Sequence, residues 1–174
     1  MELVEGLVHV GTDDERSHPS VDAFVDALDA IATEHGVTVQ AFDARYVVSR
    51  RHLERALELA DRERSRGAGI ARERAVEVML YAAGRRQIDR ALELGVREGE
   101  TPAVVLVAAE DQGGEEATAA AAVRSLLEPA ETLGDYDERR VREFYDVGDR
   151  ELAATDAGLE VLVLERVALL VVDR

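Results

Sequence analysis

The feature that most restricts the fold is a continuous apolar run, AVVLVAAE, at residues 103–110. A run of this length and composition is typical of a buried β-strand. The chain has 174 residues, which suffice for one domain with a substantial core and are too few to expect two. The sequence therefore has to supply further strands to pair with this run and helices to cover it.

Alternating and amphipathic patterns predict the other elements. Strands are predicted at residues 2–10, 37–48 and 166–173. Helices are predicted at residues 20–35, 50–64, a segment ending near Gly84, 86–94, 115–127, 137–145 and 158–165. Ser49 is predicted as the N-cap of the second helix, and Gly36 as the C-terminal stop of the first. Strands and helices mix without strict alternation, which favours a single compact α+β domain over residues 1–174.

The charge is strongly acidic and of an unusual kind. All 21 basic residues are arginine, against 37 acids, for a formal net charge of -16. This composition indicates adaptation to a salt-rich cytoplasm, where a carboxylate-rich surface stays hydrated and its self-repulsion is screened. The acidity is therefore weak evidence against a nucleic-acid partner. The N-terminal residues lack the pattern of a signal peptide, and no run is long enough for a membrane span, so a cytoplasmic location is expected.

Catalytic patterns are weak. The chain has no cysteine, which excludes thiolate metal sites, disulfides and a cysteine nucleophile. The segment GAGIAR at residues 67–72 has two glycines of a dinucleotide fingerprint but follows a helix, so a turn is expected there. His9, His18, His35 and His52 show no metal-ligand spacing and are expected at the surface or partly buried. We expect no enzyme activity and no cofactor.

The arginines are concentrated in one part of the sequence. Residues 45–90 hold twelve arginines against seven acids, a local balance of +5. Arg72 and Arg74 lie at the start of a predicted helix, where cations are locally unfavourable but would build a phosphate site with the free backbone amides. A solvated arginine face is the alternative.

Residues 52–96, HLERALELADRERSRGAGIARERAVEVMLYAAGRRQIDRALELGV, resemble the signature of the TPRKB-like subunit of the KEOPS complex, in a haloarchaeal-type sequence. The segments VQAFDARYVVS, AVVLVA and LERVALLVV also look familial, so the resemblance covers essentially the whole chain. Its central motif comprises Glu77, Leu80, Tyr81, Gly84, Arg86, Gln87 and Ile88, followed by Ala91, Leu92 and Gly95.

The resemblance implies a noncatalytic subunit with an α+β fold and an antiparallel-rich sheet packed by several helices. It implies a kinase-like ATPase partner (PRPK-like), which the subunit binds and stimulates. It also implies capture of the 3′ CCA end of tRNA during threonylcarbamoyl modification of adenosine 37. No DNA or membrane partner is expected. A stand-alone RNA-binding module and, as a lesser alternative, a small-molecule enzyme stay open.

The hypothesis for RNA binding is a groove formed by Ile70, Arg72, Arg74 and Arg85, with arginine supplying charge and a stacking face. Arg86, Gln87 and Tyr81 would either contact RNA or hold the helix junction. For the kinase-like partner, an apolar patch on helix 115–127 or on residues 158–165 is expected, although both could be core.

Overall fold

A computed structural model describes residues 1–110 and 113–172. Its strands are β1 (Glu2–Val10), β2 (Val37–Asp43), β3 (Gly99–Ala109) and β4 (Glu128–Pro129). Its helices are α1 (Val21–His35), α2 (Arg50–Ser65), α3 (Arg74–Ala83), α4 (Ile88–Ala91), α5 (Glu116–Arg124), α6 (Glu138–Phe144), α7 (Asp149–Ala154) and α8 (Gly158–Leu169), with 3₁₀ turns at Ala44–Tyr46 and Leu92–Leu94. The predicted α+β class with an antiparallel sheet is confirmed.

Residue contacts group the chain into two compact units. The first unit comprises Met1–Ala44 and Gly95–Leu133, and the second comprises Arg45–Leu94 and Gly134–Arg174. The assignment of residues 1–174 to one family domain stays a prediction. Within the described ranges, the structure contains no helix with the length and apolar character needed to cross a bilayer.

The first unit is built on an antiparallel sheet with strand order β2-β3-β1-β4. The apolar run of β3 occupies an inner position, and all its residues from Ala103 to Ala108 are buried. One sheet face forms a core with α1 and α5 through Val8, Val105, Phe24 and Val123. The two-residue strand β4, which the sequence patterns did not predict, reaches β1 because Gly6 has no side chain there. A Cβ on Gly6 would lie 2.7 Å from the Glu128 carbonyl oxygen.

The second unit is helical. Helix α2 packs against α3 and α8, and α3 also contacts α8. The Ser49 side chain accepts a hydrogen bond from the His52 amide, which confirms the predicted N-cap of α2. Helix α7 was not predicted.

Two predicted strands need correction. Residues 44–48 do not continue β2, since its pairing ends at Asp43 opposite Ala103, and the next β3 residue is Pro102, which has no N–H to donate. The strand predicted at residues 166–173 is wrong: α8 continues to Leu169, and Asp173 lies outside the described residues. The buried side chains of this segment recur at helical spacing rather than alternating; they are Leu159, Leu162, Val163, Val167 and Leu170.

Candidate functional site

The turn between α2 and α3 is held to these two helices by charged side chains. The buried Glu77 carboxylate accepts hydrogen bonds from the amides of Ile70, at 2.9 Å, and Ala71, at 2.5 Å. The Arg64 guanidinium donates to the carbonyls of Ala71 and Arg72, both at 3.0 Å. GAGIAR is thus a turn between helices, as predicted. Its amides at 70 and 71 hold an internal carboxylate where an external anion would otherwise bind.

Arg74 is engaged within the protein. Its guanidinium makes two 2.7 Å hydrogen bonds to the two carboxylate oxygens of Asp61, a bidentate pair that joins the start of α3 to α2. Only 14% of the Arg74 side chain is exposed. This pair explains a cation at a helix N-terminus without an external phosphate.

Arg72 and Ile70 lie on the same turn with different exposure. Arg72 is exposed, whereas Ile70 is half-buried. The turn therefore presents one exposed arginine beside a partly accessible aliphatic side chain. The RNA-binding role of both residues stays a prediction.

The other end of α3 closes with a Schellman motif. The Gly84 amide donates to the Tyr81 carbonyl at 3.0 Å, and the Arg85 amide donates to the Leu80 carbonyl at 3.1 Å. Gly84 has a φ of +60°, and a Cβ there would lie 3.0 Å from the Arg166 carbonyl oxygen. Glycine is required both for the left-handed backbone and for the close approach of α8.

Arg85 is directed from this junction to the end of α6. Its guanidinium donates to the Phe144 carbonyl at 2.5 Å, lies 5.3 Å from the centre of the Phe144 ring and is 3.5 Å from an Asp146 carboxylate oxygen. These contacts satisfy a helix C-terminus and place a cation over an aromatic face. A structural role therefore accounts for Arg85, of which 20% of the side chain stays exposed.

Arg86 and Gln87 remain at the surface. Arg86 is exposed, and its guanidinium lies 3.5 Å from the Leu170 carbonyl oxygen at the end of α8. Gln87 is exposed and precedes α4, where its carbonyl accepts from the Ala91 amide. Tyr81 is buried and belongs to the core.

The predicted RNA-contacting residues form two groups rather than one. Ile70, Arg72 and Arg74 lie at the start of α3, and Arg85, Arg86 and Gln87 lie just past its end. The ten residues of α3 separate the two groups by about 15 Å, because each helical residue rises 1.5 Å. A single phosphate cannot contact both groups.

A buried polar cluster in the second unit was missed by sequence reasoning. His52 is fully buried, which corrects the expectation of a surface or partly buried histidine. One ring nitrogen lies 2.8 Å from the Ala82 carbonyl oxygen, and the other accepts from the Val48 amide. Tyr145 donates to the same Ala82 carbonyl at 2.7 Å. Burial lowers the pKa of His52 to about 4 and raises the pKa of Tyr145, so both side chains are neutral near pH 7.

Ser49 and His52 are three residues apart, a spacing that raises the alternative of a serine nucleophile with a histidine base. The Ser49 hydroxyl accepts from the His52 amide and donates to Glu160 at 2.7 Å. Both ring nitrogens of His52 face backbone groups. The pair is a helix cap and a core histidine, in agreement with the capping prediction.

Exposed apolar side chains are concentrated in the second unit. Of the five large apolar residues that are exposed in the described chain, four belong to it: Ile88, Leu92, Leu169 and Val172, with exposed fractions of 46–73%. Val25 in the first unit is the fifth. The apolar residues of α5 and of residues 158–165, which were expected either to form a partner surface or to be core, include buried Ala119, Val123, Leu162 and Val163.

Three potential metal ligands from distant parts of the sequence meet in the first unit. They are His9, Asp14 and Glu128, and one ligand atom from each lies within 4.8 Å of the others. Sequence spacing cannot reveal this cluster, because the strands and a loop bring its members together.

Comparison with known protein families gives a match over most of the chain. The family described as kinase binding protein CGI-121 matches residues 23–170, which is most of the chain and includes the whole of the second unit up to the end of α8. None of the curated proteins compared with this chain matches it significantly.

Proposed function

Because this chain belongs to the kinase-binding CGI-121 family, we propose that it is a noncatalytic cytoplasmic subunit of a KEOPS complex that binds and stimulates a kinase-like ATPase subunit. It docks the 3′ CCA end of tRNA so that the complex can install threonylcarbamoyl on adenosine 37. The observation that carries the proposal is the family match over residues 23–170.

The proposed kinase-binding surface is the apolar surface of the second unit, defined by Ile88, Leu92, Leu169 and Val172. Ile88 is the first residue of α4, and Leu92, four residues later, begins the 3₁₀ turn that follows it. The contact of Arg86 with the Leu170 carbonyl joins the α4 segment to the end of α8. Exposed apolar side chains rimmed by polar groups are what the core of a protein interface requires.

The proposed tRNA contacts are Arg72 at the start of α3, and Arg86 and Gln87 past its end. Arg74 and Arg85 support them as positioning residues, since their guanidinium groups are held by Asp61 and Phe144. An extended single strand can run along the roughly 15 Å between the two groups. Its phosphates would meet arginine at each end, with Ile70 offering an aliphatic surface to a base.

Complex formation with the kinase-like subunit tests the first part. The double variant Ile88→Glu/Leu169→Glu is expected to weaken binding about 30-fold, the equivalent of losing about 2 kcal/mol at an interface centre, and to abolish ATPase stimulation. Val25→Glu is the control, and the single variants Ile88→Glu and Leu169→Glu match it in charge, because each adds one negative charge to an exposed apolar residue. An absence of complex formation by the natural sequence would contradict the proposed partner, and equal binding by all variants would contradict the proposed surface.

Binding to tRNA with and without its CCA end tests the second part. Arg72→Gln is expected to reduce the slope of log K against log salt by about 0.7, the value for one phosphate contact on a single strand. Arg51→Gln, at an exposed arginine of α2, should leave the slope unchanged. Equal loss in both variants would indicate nonspecific polyanion binding. If the protein binds tRNA in a CCA-dependent manner but does not bind the kinase-like subunit, the stand-alone RNA-binding module would be supported.

A further inference from the structure

A nearly buried histidine lies among three carboxylates in the first unit. The Nε2 atom of His9 is 2.7 Å from an oxygen of Glu128 and 3.9 Å from an oxygen of Asp14. Its Nδ1 atom is 4.0 Å from an oxygen of Glu100. His9 has 7% of its side chain exposed, while Asp14 and Glu128 reach solvent. The cluster therefore combines a nearly buried imidazole with carboxylates that are accessible from solvent.

Three separate elements position the ligand atoms. His9 is near the end of β1, Glu128 is in β4, and Asp14 is in the loop that follows β1. The loop is closed by hydrogen bonds from the His18 amide to the His9 carbonyl, at 2.9 Å, and from the Gly11 amide to the His18 carbonyl, at 2.8 Å. Glu100 is opposite His9 in β3.

This arrangement has the donor set of a metal centre. Ligand atoms about 2.1 Å from one ion lie roughly 3 to 4 Å from each other. The 3.9 Å distance from Nε2 to Asp14 is in this range, whereas the 2.7 Å distance to Glu128 is that of a hydrogen bond, which a bound ion would lengthen. Metal-bound histidines are commonly oriented by a carboxylate that accepts from the second ring nitrogen. The Glu100 carboxylate is on that side of His9, at 4.0 Å from Nδ1, which is beyond hydrogen-bond distance. One imidazole nitrogen with two carboxylate oxygens suits Zn²⁺ or Mn²⁺ better than Mg²⁺, which prefers an all-oxygen shell.

We propose that His9, Asp14 and Glu128 bind a divalent transition-metal ion such as Zn²⁺ or Mn²⁺. The ion replaces the hydrogen bond between His9 and Glu128 and draws Asp14 inward. It cross-links β1, β4 and the loop that follows β1, and it offsets part of the carboxylate repulsion in this region. The site is independent of the proposed kinase and tRNA surfaces, whose residues belong to the second unit.

Calorimetric titration of the EDTA-treated protein with ZnCl₂ or MnCl₂ tests the proposal. About 2 M KCl in the buffer suppresses diffuse cation binding by the acidic surface, because charges are then screened within a few ångströms. Co²⁺ absorbance reports direct coordination. The variants are His9→Gln, the loop variant Asp14→Asn, whose partly exposed side chain keeps the fold intact, and the control His35→Gln. Among the residues that the structure describes, His35 pairs with the Glu115 carboxylate, at 3.1 Å.

One saturable equivalent is expected for the natural sequence and for His35→Gln, with a higher Tm when the ion is bound. His9→Gln and Asp14→Asn should each weaken binding by at least the 10–100-fold typical of losing a supporting residue. Absence of a saturable site, unchanged affinity in the correctly folded Asp14→Asn variant, or an equal loss in His35→Gln would overturn the proposal.

Discussion

The two compact units differ sharply in charge although their acid content is almost equal. The first unit has three arginines and 18 acids, a formal charge of -15, whereas the second has 18 arginines and 19 acids, a formal charge of -1. The overall charge of -16 is therefore carried almost entirely by the sheet-containing unit. The acidity that argues against a polyanionic partner does not apply to the helical unit.

The two units also use their charged side chains differently. In the second unit, arginines pair with carboxylates across helices and turns, as Arg74 does with Asp61 and Arg166 with Glu151 at 2.7 Å. In the first unit, Glu5 accepts from the amide of Thr132, a type of contact that Glu77 also makes in the second unit. Ionic contacts therefore connect the helices of the second unit, while the first unit has three arginines for its 18 acids.

The largest expected effect comes from comparing a buried carboxylate of the second unit with an exposed one of the first. Glu77→Ala leaves the amides of Ile70 and Ala71 without their acceptor, and we expect it to lower the free energy of unfolding by about 3 kcal/mol or more. Glu2→Ala, at an exposed acid of β1, should change it by less than about 0.5 kcal/mol. Denaturant unfolding measures both. Similar losses in the two variants would show that the Glu77 carboxylate does not hold the turn.

A pH titration tests the neutral core of the second unit. The folded pKa of His52 is about 4 and its ordinary value is 6.5, so between these values the unfolded chain binds a proton that the folded protein excludes. Stability is unaffected above pH 6.5 and falls as the pH drops, with a total loss of about 3 kcal/mol from this group by pH 4. Denaturant unfolding between pH 7.5 and 4 gives the loss. NMR of the His52 imidazole shows whether the loss of stability arises from this residue. Titration of His52 near pH 6.5 in the folded protein would contradict the expectation.

Two glycine substitutions in the second unit test how closely α8 packs against the Gly84 junction. Gly84→Ala forces a left-handed backbone on alanine and also places a Cβ 3.0 Å from the Arg166 carbonyl oxygen. Gly67→Ala imposes the same backbone cost with no atom within 4 Å. We expect Gly84→Ala to lower the free energy of unfolding by about 2–3 kcal/mol and Gly67→Ala to lower it by about 1 kcal/mol. Thermal or denaturant unfolding measures both. Equal losses would show that α8 moves away at no cost.

The smallest expected effect concerns salt. Lowering KCl from about 2 M to 0.1 M lengthens the screening distance from a few to about 10 Å and leaves the first unit with unscreened self-repulsion. The rate of amide hydrogen exchange should rise more in α1 and α5 than in α2 and α3. The difference corresponds to a decrease of less than about 1 kcal/mol in the free energy of local opening. A uniform rise in both units would remove charge distribution as the cause.

Local signals predicted the elements whose ends depend on nearby residues. Ser20 and Ser49 cap α1 and α2, and Gly36 and Gly84 end α1 and α3, because capping bonds join groups only a few residues apart. The strand predicted at residues 166–173 failed for the opposite reason. Its branched apolar residues suit a strand, and burial of one helical face overrode that preference.

The candidate site was predicted as a region and not as an arrangement. The Gly84 junction and its arginines were found from the motif, but the partners of Arg85 are Phe144 and Asp146, about sixty residues away. Packing also carried His52 into the core and brought His9, Asp14 and Glu128 together. No spacing rule relates these positions, since their proximity depends on how strands and helices pack.

From the sequence alone follow the α+β class, most helix starts and stops, the concentration of arginine and the family. These properties rest on hydrogen bonds, caps and periodicities within a few residues, or on a motif read along the chain. Folding then assigns Arg74 and Arg85 to internal contacts and leaves Arg72 exposed at the surface. The reason is that a guanidinium pairs with whatever acceptor the fold places within its reach, and that distance is set by the packing of elements far apart in the sequence.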